Sequence, residues 1–580
     1  MATRVRGSVS SPVRFLLSRR PTSVTTRSPL QTPRRRLASN NSRKSTTSPN
    51  WIVNSLGVAV AGAAAYFGYS YVNGDFKGAW IESQAAGQKQ IINVNDLRAQ
   101  FIQEKRSLKS PAVYTWGSNT YKVVDPDSKD TDIKTPRSFK YFNGQVLRDF
   151  KVDEKSGAAI TEDGDLVQWG KGFSETEFKP TKTLTGKNLK SLALSENRIL
   201  ALASNGSVFS LPISKEEQKT GPKPRESSWV PFCGSQSALS YRLLNPTLGL
   251  GETVTSISAG LEHVVLLTSA GRVFTAAAST EHYPSMGQLG VPGLTWSTRP
   301  KGPVDACHEV TAFIGSKVTK ISTGDYHSLA LTKDGRVFAW GDNSFGQLGV
   351  DYEPELPYKD TPFALPLHKL YPRGLYTLQA TNVAAGGAGS FFMVDAKRVL
   401  SPEEDPKAVP DLGNVTADTW SCGRGIWGTL GTGKWVHLQD SLSKVKDLSG
   451  LAEYDETQNK LSPIRLRNIS VGTTHVAAVM DNKTTVTSKP TDSLDKSHDF
   501  GLDVLFWGGN EHFQLGTGKR TNLPRPSYIK APHESSKKDE PEARLQIMPQ
   551  HKGKVGKRSV KMEQRVECGR HVSAIYSATV

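Results

Sequence analysis

The sequence predicts an all-β protein: a seven-bladed β-propeller closed by a blade shared between N- and C-terminal strands, preceded by a transit peptide and one transmembrane helix. Three observations carry this reading. A strand–turn–strand unit recurs along the chain, half-units stand at either end of the repeat region, and a basic, acid-free leader runs into an uncharged stretch.

The clearest unit is residues 318–349. Leu329 and Leu331 alternate with smaller or polar neighbours, Asp334-Gly335 forms a tight turn, and Val337, Ala339 and Trp340 carry the returning strand. Degraded copies contain Ala158-Ala159-Ile160 with Trp169, Ile199 to Leu202 with Phe209, and His263 with Phe274 and Gly287 to Gly290. Others run from Gly386 to Gly431 and from Gly472 through Trp507 to Gly516. One such unit cannot bury its own apolar face, so copies must stack or close into a ring. Val566 to Tyr576 supplies only the first half of a seventh unit, and the second half, Val113 to Asn119, stands at the start of the repeats. Joining the two ends would complete a blade and remove the exposed sheet edges.

Residues 322–349, with the pattern S-x-G-x-x-H-S-x-A-L-T-x-D-G-x-V-x-x-W-G-x-N-x-x-G-Q-L-G, resemble the repeat of the regulator of chromosome condensation family, whose members are seven-bladed propellers. Residues 113–119 and 505–518 match well and the remaining copies weakly, over about 111–580. Two departures stand out: Cys422 occupies a tryptophan position, and Asp395-Ala396-Lys397 replaces a clean Asp-Gly turn.

The first fifty residues contain ten Arg, one Lys and no acidic residue. This is the composition of a mitochondrial transit peptide, with Val13 to Arg20 as a short basic amphipathic helix and Arg34-Arg35-Arg36-Leu37 as a processing region. Trp51 to Val72 follows without a charge. At about 1.5 Å per residue it would span about 33 Å, matching a hydrocarbon core of about 30 Å. Trp51 and Tyr66, Tyr69 and Tyr71 suit the two interfaces. The expected organisation is therefore a leader over 1–50, a single span over 51–72, a polar linker over 73–110, and a propeller over 111–580 with a basic insertion near 531–565. Arg43 and Lys44 before the span favour a matrix N-terminus and a propeller in the intermembrane space, with the matrix side as the alternative.

The formal charge of +18 is misleading. Without the eleven leader cations, 62 basic residues face 55 acidic ones, which demands no polyanionic partner. Lys537-Lys538, Lys552, Lys554, Lys557, Arg558 and Lys561 read as a solvated loop. Cysteines at 233, 307, 422 and 568 have no metal-ligand spacing and are expected reduced and packed.

Apparent catalytic motifs dissolve on inspection. Gly428 to Lys434 has phosphate-loop spacing, but Trp435 replaces the magnesium-binding hydroxyl, and Gly-Thr-Gly-Lys recurs at 516–519 in the corresponding turn. His263, His327 and His475 each follow a glycine by three, with His571 close to that register. Each imidazole is expected to satisfy backbone groups beside its own turn. Trp116, Trp169, Trp340 and Trp507 are expected to pack within or between blades rather than to stack on nucleic acid.

No catalytic, cofactor-binding or metal-ligating residue is assigned, and no cofactor is expected. The expected function is a non-enzymatic scaffold on the mitochondrial inner membrane. The layout of leader, span and propeller resembles a fungal mitochondrial inner-membrane member of the family. That resemblance implies assembly of respiratory complex III (cytochrome bc1), with its subunits or assembly factors as partners. The alternatives are a guanine-nucleotide exchange factor for a mitochondrial GTPase and, through the basic insertion, a factor of the mitoribosome or RNA; nucleic acid is otherwise not an expected partner.

Overall fold

The computed structural model describes residues 110–226, 235–371, 375–400, 412–455, 460–482, 485–487, 497–499, 501–531 and 544–580, together with Ser107 and a few positions between 401 and 411. The expected leader, the span at 51–72, nearly all of the linker, Cys233 and Lys537-Lys538 lie outside the described residues. Among the described residues no helix is long and apolar enough to cross a membrane.

The architecture is an all-β propeller. Its repeating element is clearest where the sequence is clearest. Val318–Thr323, His327–Thr332, Val337–Asp342 and Tyr358–Ala364 pair in sequence order as one antiparallel sheet. The Asp-Gly turn closes as expected: Gly335 has φ 79° and donates its N–H to Thr332 O at 3.0 Å. That backbone region carries no Cβ penalty only for glycine.

Every residue of the two middle strands is buried, although their sequence alternates. The alternation selects a neighbour rather than choosing between core and water. Leu329, Leu331, Val337 and Ala339 pack towards Val383 and Phe392 of the next sheet, whereas Ala330, Phe338 and Trp340 pack towards Val265 and Leu267 of the preceding one. Each inter-sheet layer is thus a small separate core.

Four further sheets repeat the plan. They begin at Leu189–Leu194, Val254–Ala259, Leu375–Gly386 and Leu466–Val471, the last carrying Gln546–Ile547 as a fifth strand. The sixth large sheet has nine strands. In it the C-terminal strand Val572–Thr579 lies between Val113–Ser118 and Arg558–Cys568, antiparallel to both, with Val113 opposite Tyr576. Strands from the two ends of the repeat region therefore share a sheet. This half meets Leu147–Val152, the first strand of the other half, through a parallel contact of Leu147 with Ala578.

Two local expectations are corrected. Asp395-Ala396-Lys397 is no turn; it lies inside the strand Gly389–Val399, which pairs with Leu375–Gly386 without interruption at that point. Val394 and Ala396 continue the buried face there, so both strands extend beyond those of the other units. The basic stretch is also not simply loop, because His551–Val555 and Arg558–Cys568 form a hairpin. Met562, Gln564, Val566 and Cys568 recur with period two and are buried, while Lys552, Lys554 and Lys557 remain exposed.

Candidate functional site

The G-x-x-H spacing builds the joints between sheets. His263 Nε2 lies 2.8 Å from Ser328 Oγ, His327 Nε2 lies 2.8 Å from Ser390 Oγ, and His475 Nε2 lies 2.6 Å from Ser573 Oγ. Each imidazole therefore bonds a hydroxyl of the following sheet, not its own turn as expected. Ser390 and Ser573 donate their only hydroxyl protons to Gln347 O at 2.6 Å and Gln514 O at 2.7 Å. The histidines facing them must then be donors at Nε2. The glycine three residues earlier makes room for the ring: a Cβ on Gly324 would stand 2.1 Å from His327 Cε1.

Tryptophan completes the joint. Trp340 Nε1 donates to Gln288 O (2.9 Å), Trp507 to Thr429 O (2.7 Å) and Trp116 to Gln514 O (2.8 Å), in each case to the loop that joins the last two main strands of the preceding sheet. Trp116, Trp169, Trp340 and Trp507 are all fully buried, so they offer no platform to a ligand. At the exceptional position, the Cys422 thiol lies 3.4 Å from Gln347 O and donates to the same acceptor. Leu365 and Leu442 approach Gly349 where an indole stands in other units. The lysine-bearing glycine turns are part of the same machinery, since Gly431 and Gly516 lie against Trp507 and Trp116. His571 is excluded from it. Gly569 N–H bonds Val572 O, the counterpart of Gly324 bonding His327 O, so Val572 holds the histidine register. His571 instead lies 4.7 Å from the His512 ring.

The candidate functional site is one mouth of an axial cavity of about 330 Å³. It is lined by the ends of Leu147–Val152, Leu189–Leu194, Val254–Ala259, Val318–Thr323, Leu375–Gly386, Leu466–Val471 and Arg558–Cys568, with the loops that follow them. Backbone bonds interlock successive loops: Glu196 N–H to Leu261 O, Leu261 N–H to Asp325 O, and Asp325 N–H to Gly387 O. Arg570 Nη2 reaches Asp325 Oδ2 at 3.7 Å, and Arg570 N–H bonds Asp153 Oδ1 at 3.3 Å. The Arg570–Asp325 contact joins loops from non-neighbouring sheets. Deeper in the cavity, Lys151 Nζ pairs with Glu567 Oε1 at 2.8 Å.

Burial pushes the Asp325 carboxyl up to about 6 despite Arg570, with Asp153 adding to the rise. An acid raised in the folded state contributes stability below its ordinary pKa and loses it as pH rises through the folded value. Asp325→Asn is therefore expected to stabilise the protein by up to about 3 kcal/mol at pH 7 and to have almost no benefit at pH 4. Denaturant melts at both values measure this; an equal gain at both would show that ionisation is not the cause. The gain is expected because burial penalises the ionised carboxylate and the neighbouring Asp153 adds to that penalty.

No group of three or more His, Cys, Asp or Glu is placed to hold a metal among the described residues. Cys307, Cys422 and Cys568 are free; burial pushes Cys307 up to about 12 and the other two above the ordinary range. The Asp325–Arg570 contact and the loop amides give this mouth charged and hydrogen-bonding groups that can bind. Sequence reasoning missed the rim charges, although Asp325 and Arg570 hold one register, each directly after a loop glycine.

The G-x-x-H and W-G latches between sheets accompany a recognisable repeat: this chain carries the regulator of chromosome condensation (RCC1) repeat. Residues 318–347 and 334–393 match it directly. Among individual proteins, the chain is 24% identical over 440 residues to Protein FMP25, mitochondrial, of Saccharomyces cerevisiae, covering 71% of this chain and 64% of that protein. It is 26% identical over 251 residues to the secretion-regulating guanine nucleotide exchange factor of Bos taurus, covering 41% of this chain and 49% of the relative. The chain thus matches less than two thirds of the length of each. In fold it is similar to human WBSCR16 (TM-score 0.52, 16% identity, 81% of this chain and 99% of that one). Similarity extends to yeast Prp20p (TM-score 0.50, 19% identity, 84% and 96%).

Proposed function

We propose that this protein is a non-enzymatic, mitochondrial docking scaffold whose propeller is tethered to the inner membrane by residues 51–72. The observation that carries the reading is the similarity to a mitochondrial relative along 71% of the chain. The acid-free leader and uncharged stretch agree with it. In this reading the nine-stranded sheet counts as two blades divided at Leu147–Ala578, giving seven. The seven strand ends around the axial cavity support that count.

The task is assembly of the respiratory chain, with complex III subunits or assembly factors as partners. Support comes from the layout of leader, span and propeller. Native gels of respiratory complexes, with labelling of mitochondrial translation, test it in cells lacking the protein. The expected result is less mature complex III with normal synthesis of its mitochondrially encoded subunit, and retention of the wild-type protein in membranes after alkaline carbonate. Primary loss of translation would move the role to the mitoribosome, where the exposed Lys552–Lys557 hairpin would bind. Normal complexes would overturn the assembly role.

A second reading, nucleotide exchange on a mitochondrial GTPase, is favoured by the similarity to the bovine exchange factor. Accelerated nucleotide release from a co-purifying GTPase would establish it in place of the scaffold.

A further inference from the structure

Beside the axial mouth lies a separate pocket of about 140 Å³, sharing Asp325, Gly387 and Thr473 with it. Its wall contains Arg424, at the end of the strand Val415–Gly425, where neither the tryptophan–glycine pattern nor the histidine register gives this position a role. The guanidinium carbon lies 4.8 Å from the centre of the Phe345 ring and 4.8 Å from that of Trp427. Two aromatic rings thus shield the cation from water.

The backbone of Arg424 is fixed, with its N–H on Ala388 O at 2.9 Å and its carbonyl accepting from Thr429 Oγ1 at 2.6 Å. Its side chain is not matched in the same way. Arg424 Nε is buried without a hydrogen-bond partner, and no carboxylate among the described residues pairs with the guanidinium. The two nearby acids are engaged elsewhere. Asp342 accepts from Ser344 N–H at 3.0 Å and from Gln347 Nε2 at 2.6 Å, and Asp325 pairs with Arg570. A buried donor left unmade costs about 1–3 kcal/mol, which a structural arginine would have no reason to sustain.

We propose that Arg424 captures a single carboxylate, presented by an acidic side chain of a partner protein. A carboxylate set side-on would accept from Nε and one terminal nitrogen together, satisfying the buried donor in a bidentate pair. The stacked rings hold the plane in place, so little ordering entropy is lost on binding. The pocket is too small for a nucleotide or for the usual cofactor sites of about 300–1,000 Å³. A wall that holds one guanidinium and two carboxylates suits a monoanion better than a phosphate dianion. The identification of the ligand as a protein rests on the scaffold reading; the preference for a carboxylate does not.

The test uses the full chain in detergent with nitrogen-15 arginine, following the Nε–Hε resonance that disappears in Arg424→Lys. A capped glutamyl peptide is expected to shift this resonance saturably with Kd on the order of 1 mM. The matched glutaminyl peptide should leave it unmoved, and acetate should need about ten times the concentration because it lacks the methylenes that would lie along Phe345 and Trp427. Arg424→Lys keeps the charge but loses Nε and the plane, and should retain the melting temperature. Equal response to the glutaminyl peptide, tighter binding of inorganic phosphate, or acetate as effective as the peptide would each overturn the proposal. So would a large loss of melting temperature in Arg424→Lys, which would make the side chain structural. Carboxylate binding with normal complex III in an Arg424→Lys strain would instead separate the pocket from complex III assembly and leave the pocket standing, whereas normal complex III in cells lacking the protein would remove the assembly role.

Discussion

Deletion of residues 566–580 is expected to leave no cooperatively folded propeller. The deletion removes Val572–Thr579, of which all but the last residue are buried, and with it pairing to both Val113–Ser118 and Arg558–Cys568. Phe150 loses its contact with Tyr576, and His475 loses Ser573 as the acceptor for its buried Nε2–H. Two long sheet edges open at once. Together these losses exceed the roughly 5–15 kcal/mol by which domains are ordinarily stable. Limited proteolysis and solubility measure the outcome, and a truncated protein as resistant as the parent would sink the shared sheet as a closing element. Ser573→Ala isolates one component: the hydroxyl joins His475 to Gln514 O, and its loss is expected to cost about 1–3 kcal/mol.

The second large effect is acid lability. Burial pulls His263, His327 and His475 down to about 3 in the folded protein, against roughly 6.5 when unfolded. A base depressed in this way takes up its proton on unfolding, so its contribution is present above pH 6.5 and is lost progressively as pH falls towards 3. Each histidine removes about 1.4 kcal/mol per pH unit once below 6.5, or about 4 kcal/mol per unit for the three. The rise of Asp325 to about 6 opposes this with one proton between pH 6 and 4 and does not reverse it. Melting at pH 7.5 and pH 5 should therefore differ by on the order of 5 kcal/mol. His327→Gln should be less stable at pH 7.5 yet lose about one proton from the slope. A flat profile between pH 7 and 5 would mean that the imidazoles are not closed off from protons.

The propeller was legible because its repeat makes local rules and tertiary rules coincide. Asp334-Gly335 fixes a turn, and the strands beside it can be read from their residues alone. The meeting of the two ends was legible for a related reason, since each half-unit is incomplete without the other. What failed was the direction of partnership. Nothing local distinguishes a histidine that bonds its own turn from one that reaches Ser390, 63 residues further on. Asp395-Ala396-Lys397 misled because the turn pattern is only a preference, and burial of Ala396 between two long strands outweighs it. Lys552 to Lys561 concealed a strand, because alternate charged residues dominate composition while Met562, Gln564 and Val566 supply the buried period. The rim charges and Arg424 depend on loops brought together from distant repeats, where their spacing along the chain carries no signal.

Synthesis runs from the N-terminus, so Val113–Ser118 emerges long before Val572–Thr579, with which it pairs. At about 5–20 residues per second, the early strand waits roughly 20–90 seconds for its neighbour. Throughout that interval an unpaired edge is available to any other strand, and the layer around Trp116 is incomplete. Until Val572–Thr579 has been made, this sheet cannot close, and a holding chaperone would be the means of covering its edge. A chain that stops short of Val572–Thr579 cannot conceal this edge, so the pairing that closes the sheet also separates finished from unfinished chains.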